Sequence, residues 1–122
     1  MEALRLSFSD ARESAALRRS AAELLTGQSP DLIEDALLVI TELVDNVVQH
    51  TPAGGELRLR REDGTVWIEV HDRSRTFPQL QRHDPRRPGG RGLLLVAALT
   101  KTWGSRPTEE GKLVWARLGG AD

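Results

Sequence analysis

Apolar and polar positions alternate along Leu4-Arg5-Leu6-Ser7-Phe8 as they do in a strand with one buried face, and as the first strand it is expected at a sheet edge. The period then changes. Asp10 followed three residues later by Glu13 reads as a capping box, and Ala15, Ala16, Leu17, Ala21, Leu24 and Leu25 continue at helical spacing until Gly27. Ser29-Pro30 reads as an N-cap with proline at the first helical position. It opens a longer amphipathic helix that must stop by Thr51-Pro52. At about 100° per residue, Ile33, Ala36, Leu37, Ile40, Leu43, Val44, Val47 and Val48 fall in one broad arc of that helix.

Beyond the Ala53-Gly54-Gly55 turn the period returns to two. Glu56-Leu57-Arg58-Leu59-Arg60 and Thr65-Val66-Trp67-Ile68-Glu69-Val70 flank Asp63-Gly64, a strong two-residue hairpin signal, and Asp72 closes the second strand. From Arg73 to Arg91 periodicity disappears: three prolines, two glycines and six arginines mark a long loop, of the kind that in a compact domain is usually functional or disordered. Gly89-Gly90-Arg91-Gly92 leads into Leu93-Leu94-Leu95-Val96-Ala97-Ala98-Leu99, which reads as a buried helix. Lys101-Thr102-Trp103-Gly104 begins another strand, Glu110-Gly111 is a turn, and Lys112 to Leu118 is the last strand. This order predicts an α+β fold: a two-layer α/β sandwich with about three helices on one face of a mixed, mainly antiparallel five-stranded sheet. Trp67, Trp103 and Trp115 are expected to pack on the sheet faces.

Composition narrows the chemistry. The 122 residues fit one domain, expected to span 1–122 with a lid loop near 73–91. With 17 basic and 18 acidic residues the net charge is -1, which gives no overall electrostatic case for nucleic acid or a membrane surface. The local exception is Arg82, Arg86, Arg87 and Arg91 with His83, read as a solvated loop or as phosphate contacts from a lid; only Phe77 is near enough in sequence to stack on a base. The absence of cysteine excludes thiol catalysis and thiolate metal sites. No apolar run approaches a membrane span and the N-terminus lacks a signal-peptide core, so a cytoplasmic location is expected.

Against that background three features are spaced so that they can converge. Glu42 and Asn46 lie one turn apart, opposite the apolar arc, either as a solvated helix face or as a site. Asp72 ends a strand, and a glycine-rich segment leads into the third helix. A helix N-terminus with exposed N–H groups suits phosphate. An asparagine amide oxygen suits Mg²⁺, which prefers oxygen ligands and keeps waters and phosphate oxygens. Glu42 could serve as a general base, and Asp72 could accept a hydrogen bond from an exocyclic amine such as that of adenine.

Glu42-Leu43-Val44-Asp45-Asn46-Val47-Val48-Gln49-His50, Asp72, Gly90-Arg91-Gly92-Leu93-Leu94-Leu95-Val96, Trp103-Gly104 and Gly111-Lys112-Leu113-Val114-Trp115 together resemble the histidine-kinase-like ATPase domain, or Bergerat fold. Within that superfamily the small size and short lid look most like stand-alone anti-sigma-factor serine/threonine kinases. The resemblance implies ATP and Mg²⁺ as ligands, with Asn46 coordinating the metal and Glu42 activating the attacking hydroxyl. It implies that Asp72 receives the adenine amino group and that Gly90, Arg91, Gly92 and the helix start at Leu93 hold the phosphates. The implied partners are an anti-anti-sigma antagonist, phosphorylated on serine or threonine, and a sigma factor; pairing of two copies is a further implication. After its aspartate the family usually has glycines two and four residues on, where this chain has Ser74 and Thr76. Ser74 therefore enters the wall of the base pocket as a side chain. The same departure supports an alternative expectation, a non-catalytic regulatory binding module with weak or no nucleotide binding.

Overall fold

The chain runs β1 (Glu2–Phe8), a single 3₁₀ turn (Ala11–Glu13), α1 (Ser14–Leu24), α2 (Pro30–His50), β2 (Gly55–Glu62), β3 (Thr65–Asp72), α3 (Gly92–Leu99), β4 (Thr102–Pro107) and β5 (Lys112–Gly119). The structure is a computed structural model, and it describes residues 2–51, 54–73 and 92–120. The five strands form one sheet in the order β1-β2-β3-β5-β4, and each neighbouring pair is antiparallel. The sequence anticipated a mixed, mainly antiparallel sheet. Antiparallel pairing throughout arises because β4 and β5 form a hairpin whose β5 arm, not β4, pairs with β3. The helices lie on one face, giving the expected two layers.

Local sequence explains most boundaries. The Ser29 hydroxyl accepts the Leu32 N–H at 3.2 Å and Pro30 occupies the first turn, a cap of a kind worth about 1 kcal/mol. The β2–β3 hairpin turns at Asp63-Gly64, where Asp63 adopts φ 54°, the left-handed conformation that aspartate tolerates. The start of α1 departs from the expected capping box. Glu13 reaches back to the Ser9 N–H at 3.1 Å, one residue before Asp10, while the Asp10 carboxylate accepts the Arg12 N–H at 2.8 Å. That side-chain turn holds residues 11–13 in 3₁₀ geometry, so the α-helix begins at Ser14.

The core lies between the layers. Leu57, Leu59, Val66, Ile68, Val70, Val114, Ala116 and Leu118 project from the sheet onto Leu17, Ala21, Ala36, Ile40, Leu43, Val44 and Val47 of the helices. Val39 is also fully buried, although it lies outside the anticipated arc. The reason is that α2 touches β2, β3 and β5 beneath it and both α1 and α3 beside it, so more of its circumference is covered. Among the described residues no helix covers the opposite sheet face. There Arg60 stacks over the Trp67 ring, 4.5 Å from its centroid, and Trp115 lies against Gly104, while Trp103 packs toward the core. All three tryptophans thus pack on the sheet, as expected. Among the described residues no helix is long and apolar enough to cross a membrane.

Candidate functional site

β3 carries the first candidate residue as a continuation of its buried face. Val66, Ile68 and Val70 alternate toward the helices, and the next position in that series is Asp72. Its carboxylate is therefore buried at the end of the strand, with the residue only 4% exposed. β5 has the same construction in mirror order. Leu118, Ala116 and Val114 face the helices, and the next residue in the series is Lys112, also 4% exposed. The register pairs Asp72 with Lys112, and Nζ lies 3.3 Å from Oδ2.

Two glycines let neighbouring chain segments close on this point. Gly55 pairs with Asp72 across β2 and β3, and a methyl group there would meet the His71 carbonyl and come within 3.3 Å of both Phe8 and Val47. Val47 belongs to α2, so the strand end holding Asp72 sits under the C-terminal half of that helix. Gly111 lies against the backbone of Asp72 and Arg73, where a methyl would come within 2.5 Å of the Arg73 Cα. This close approach seats the β4–β5 turn on the end of β3, immediately before Lys112.

Glu42 and Asn46 occupy consecutive turns of the same half of α2, and both are half-buried. Leu43, Val44 and Val47, interleaved with them, are core residues, so packing fixes the rotation that sets the direction of the polar pair. Between the two, Asp45 has its carboxyl pushed above the ordinary aspartate range by burial, partly offset by the Arg18 guanidinium on α1. Gly92 begins α3, and Leu93 follows in its first turn. Ser74, Thr76, Gly90, Arg91 and the arginine cluster of the loop lie outside the described residues.

The fold thus brings Asp72 and the half of α2 that carries Glu42 and Asn46 to one end of the sheet. It also adds Lys112, which the sequence reading treated only as the first residue of the last strand. The available signal was the unbroken alternation from Leu118 back to Lys112, which places a lysine in a core-facing slot. A cleft of about 790 Å³ opens at the same end of the sheet, lined by Ser9, Glu13, Glu56, His71, Asp72 and the 108–110 turn among others. It shares Asp72 with the site, but neither Glu42 nor Asn46 lines it, so it is not equated with the site. Among the described residues no three acidic or histidine side chains gather as a metal cage. The anticipated arrangement, one amide oxygen completed by waters and substrate phosphates, needs none.

Helices over one face of an antiparallel sheet, with the C-terminal half of α2 over the strand end that holds a buried carboxylate, define a two-layer α/β sandwich. Residues 8–118 match the histidine kinase-like ATPase domain family, and the chain belongs to it. A crystal structure of the RsbU and RsbW domains of Rv1364c from Mycobacterium tuberculosis has a similar fold. The TM-score is 0.71 at 21% sequence identity, over 97% of this chain and 32% of that one. This chain therefore spans about a third of the length of the chain in that structure. Comparison with curated protein sequences gives no match.

Proposed function

We propose that this chain binds Mg–ATP and transfers the terminal phosphoryl group to a serine or threonine of an anti-anti-sigma antagonist, acting as an anti-sigma-factor-type kinase in the cytoplasm. The observation that carries this reading is the buried Asp72 acceptor at the end of β3, beneath the half of α2 that bears Glu42 and Asn46. Family membership supports ATP as the substrate, and the RsbW domain in the similar structure supports the anti-sigma direction. The donor set fits. Asp72 offers a hydrogen-bond acceptor to an exocyclic amine, Asn46 an amide oxygen to a hard cation, and Gly92 the start of a helix to a phosphate.

In this reading Asn46 holds the metal through its side-chain oxygen. Mg²⁺ bound there supplies positive charge to the phosphate oxygens. Glu42, one turn earlier, orients the acceptor hydroxyl and takes its proton at the carboxylate as the oxygen attacks the γ-phosphorus in line and the bond from that phosphorus to the bridging oxygen of the departing ADP breaks. Asp72 fixes the base, and Gly90, Arg91, Gly92 and the α3 start at Leu93 hold the phosphates, with Ser74 on the wall beside the base. Because most of the barrier in phosphoryl transfer is met by positioning and electrostatics, the rigid packing of α2 matters as much as the identity of the base.

The test is phosphoryl transfer from γ-labelled ATP to an anti-anti-sigma domain. Glu42→Ala is expected to reduce transfer at least 100-fold while sparing ATP binding, the usual scale for a general base. Transfer by the variant at the parental rate contradicts the role. A second reading, a partner-binding module with weak or no nucleotide binding, is favoured by Ser74 and Thr76 at the positions where the family usually has glycines.

A further inference from the structure

The sheet face turned away from the helices carries arginines beside the edge strand β1. The register places Ala3, Arg60 and Trp67 in one line across β1, β2 and β3, and Arg5, Arg58 and Glu69 in the next. Ala3 has only a methyl group, and a groove of about 360 Å³ opens there, lined by these six residues among others. Its charges are incompletely matched. Arg5 and Arg58 both donate through Nε to the same oxygen of Glu56, at 2.8 and 2.6 Å, while Glu69 turns to His71 at 3.2 Å. Arg60 engages the Trp67 ring, 4.5 Å from its centroid, and no carboxylate among the described residues. Three guanidiniums thus share one carboxylate. Among the described residues their terminal N–H groups, the fork that grips a carboxylate in two places, make no hydrogen bond.

We propose that this edge is a docking surface for an extended acidic segment of a partner protein, which adds to the sheet alongside β1 with acidic and apolar residues in alternation. Among the described residues β1 stands at one end of the strand order and pairs with β2 alone, so one row of its backbone N–H and C=O groups can receive a further strand. Alternate residues of such a strand, about 7 Å apart, fall in line with the two rows. One carboxylate reaches over Ala3 to Arg60, and the next meets Arg5 and Arg58. The residues between them turn to the other side of the sheet, where Leu4 and Leu6 are half-buried at the margin of the core. Charge selects the occupant. A second copy of β1 brings like arginines together, and a doubly charged phosphate is opposed by Glu56 and Glu69 more strongly than a carboxylate is. The groove lies on the sheet face away from the core-facing Asp72 and from α2, so its occupancy does not depend on the ATP-binding reading.

The experiment is titration of the full chain with the peptide acetyl-Glu-Val-Glu-Val-Glu-Val-amide and with its glutamine counterpart, followed by calorimetry and by NMR mapping of amide shifts. Wild type is compared with Arg5→Gln and Arg60→Gln. Saturable binding of the acidic peptide at millimolar concentration or below is expected, with shifts centred on β1, the adjoining part of β2 and the Trp67 indole. The glutamine peptide is expected to bind about tenfold more weakly, and each arginine variant to bind the acidic peptide about threefold more weakly, the scale of exposed ion pairs. Absence of saturable binding overturns the proposal, as do equal binding of the two peptides, shifts lying elsewhere, or parental affinity in both variants. Displacement of the peptide by an equal concentration of single-stranded oligonucleotide would make the face a general polyanion surface and also overturns it. So does a dimer in sedimentation whose β1 amides give no shift with peptide, because a second copy then holds the edge. Should either variant lose its fold, the comparison of the two peptides on wild type decides alone.

Discussion

Gly55 stands directly opposite Asp72 in the β2–β3 register, and the space its missing side chain leaves is filled by the His71 carbonyl, the Phe8 ring and Val47 of α2. The Glu42/Asn46 helix can approach the buried carboxylate because position 55 has no Cβ.

Gly55→Ala should therefore do two things. Overpacking against a backbone carbonyl is expected to cost about 1–3 kcal/mol, measured by urea denaturation. It should also weaken Mg–ATP binding, because a methyl on that strand lifts α2 away from Asp72. A variant as stable as the parent with the same affinity would contradict this role of the glycine.

Glu56 links the sheet edge to its neighbour. Arg5 and Arg58 are directly opposed across β1 and β2, a repulsive pairing, and the Glu56 carboxylate accepts from Arg58 Nε at 2.6 Å and Arg5 Nε at 2.8 Å. Its carboxyl is held below the ordinary glutamate range, chiefly by the Arg58 hydrogen bond; burial opposes this, and the Arg5 hydrogen bond and the charges of both arginines lower it further. A lowered folded-state value gives stability that is present above the unfolded pKa and lost as pH falls through the folded one. Glu56→Gln should thus cost about 0.5–1 kcal/mol at pH 7 and little at a pH low enough to protonate the parent, read by denaturation at both pH values. Equal cost at both would contradict the ionic origin.

Asp45 predicts the opposite sign. Burial raises its carboxyl, with Arg18 opposing, so the ionised side chain works against the fold. The parent should lose stability as pH rises from the unfolded aspartate value through the raised folded one. Asp45→Asn should match the parent at low pH and exceed it at pH 7. A variant less stable than the parent at pH 7 would show that the Arg18 attraction outweighs desolvation.

The elements read most easily from sequence are those set by neighbours in the chain. Ser29-Pro30 fixes the start of α2, Asp63-Gly64 fixes the β2–β3 register, and period-two alternation fixes which side of each strand is buried. The placement of Glu42 and Asn46 on α2 and of Asp72 at the end of β3 was legible because each sits at a definite point of such an element. The start of α1 was misplaced by one turn because Ser9 and Asp10 compete for the same role, and side-chain bonding decided it. The pairing of Lys112 with Asp72 was not legible because the two are forty positions apart, on strands separated in the chain by α3 and β4. The alternation of β5 showed that position 112 faces the core, but not that a carboxylate awaits it there.

The most direct measurement is titration calorimetry with Mg–ATP on the wild-type chain beside Asn46→Ala and Asp72→Asn. Saturable heat from wild type at sub-millimolar nucleotide, and affinity reduced at least about tenfold in each variant, is the predicted result, one charge-assisted contact being lost in each. No heat from wild type at millimolar Mg–ATP, or equal binding by all three proteins, would contradict the assignment of this site to ATP.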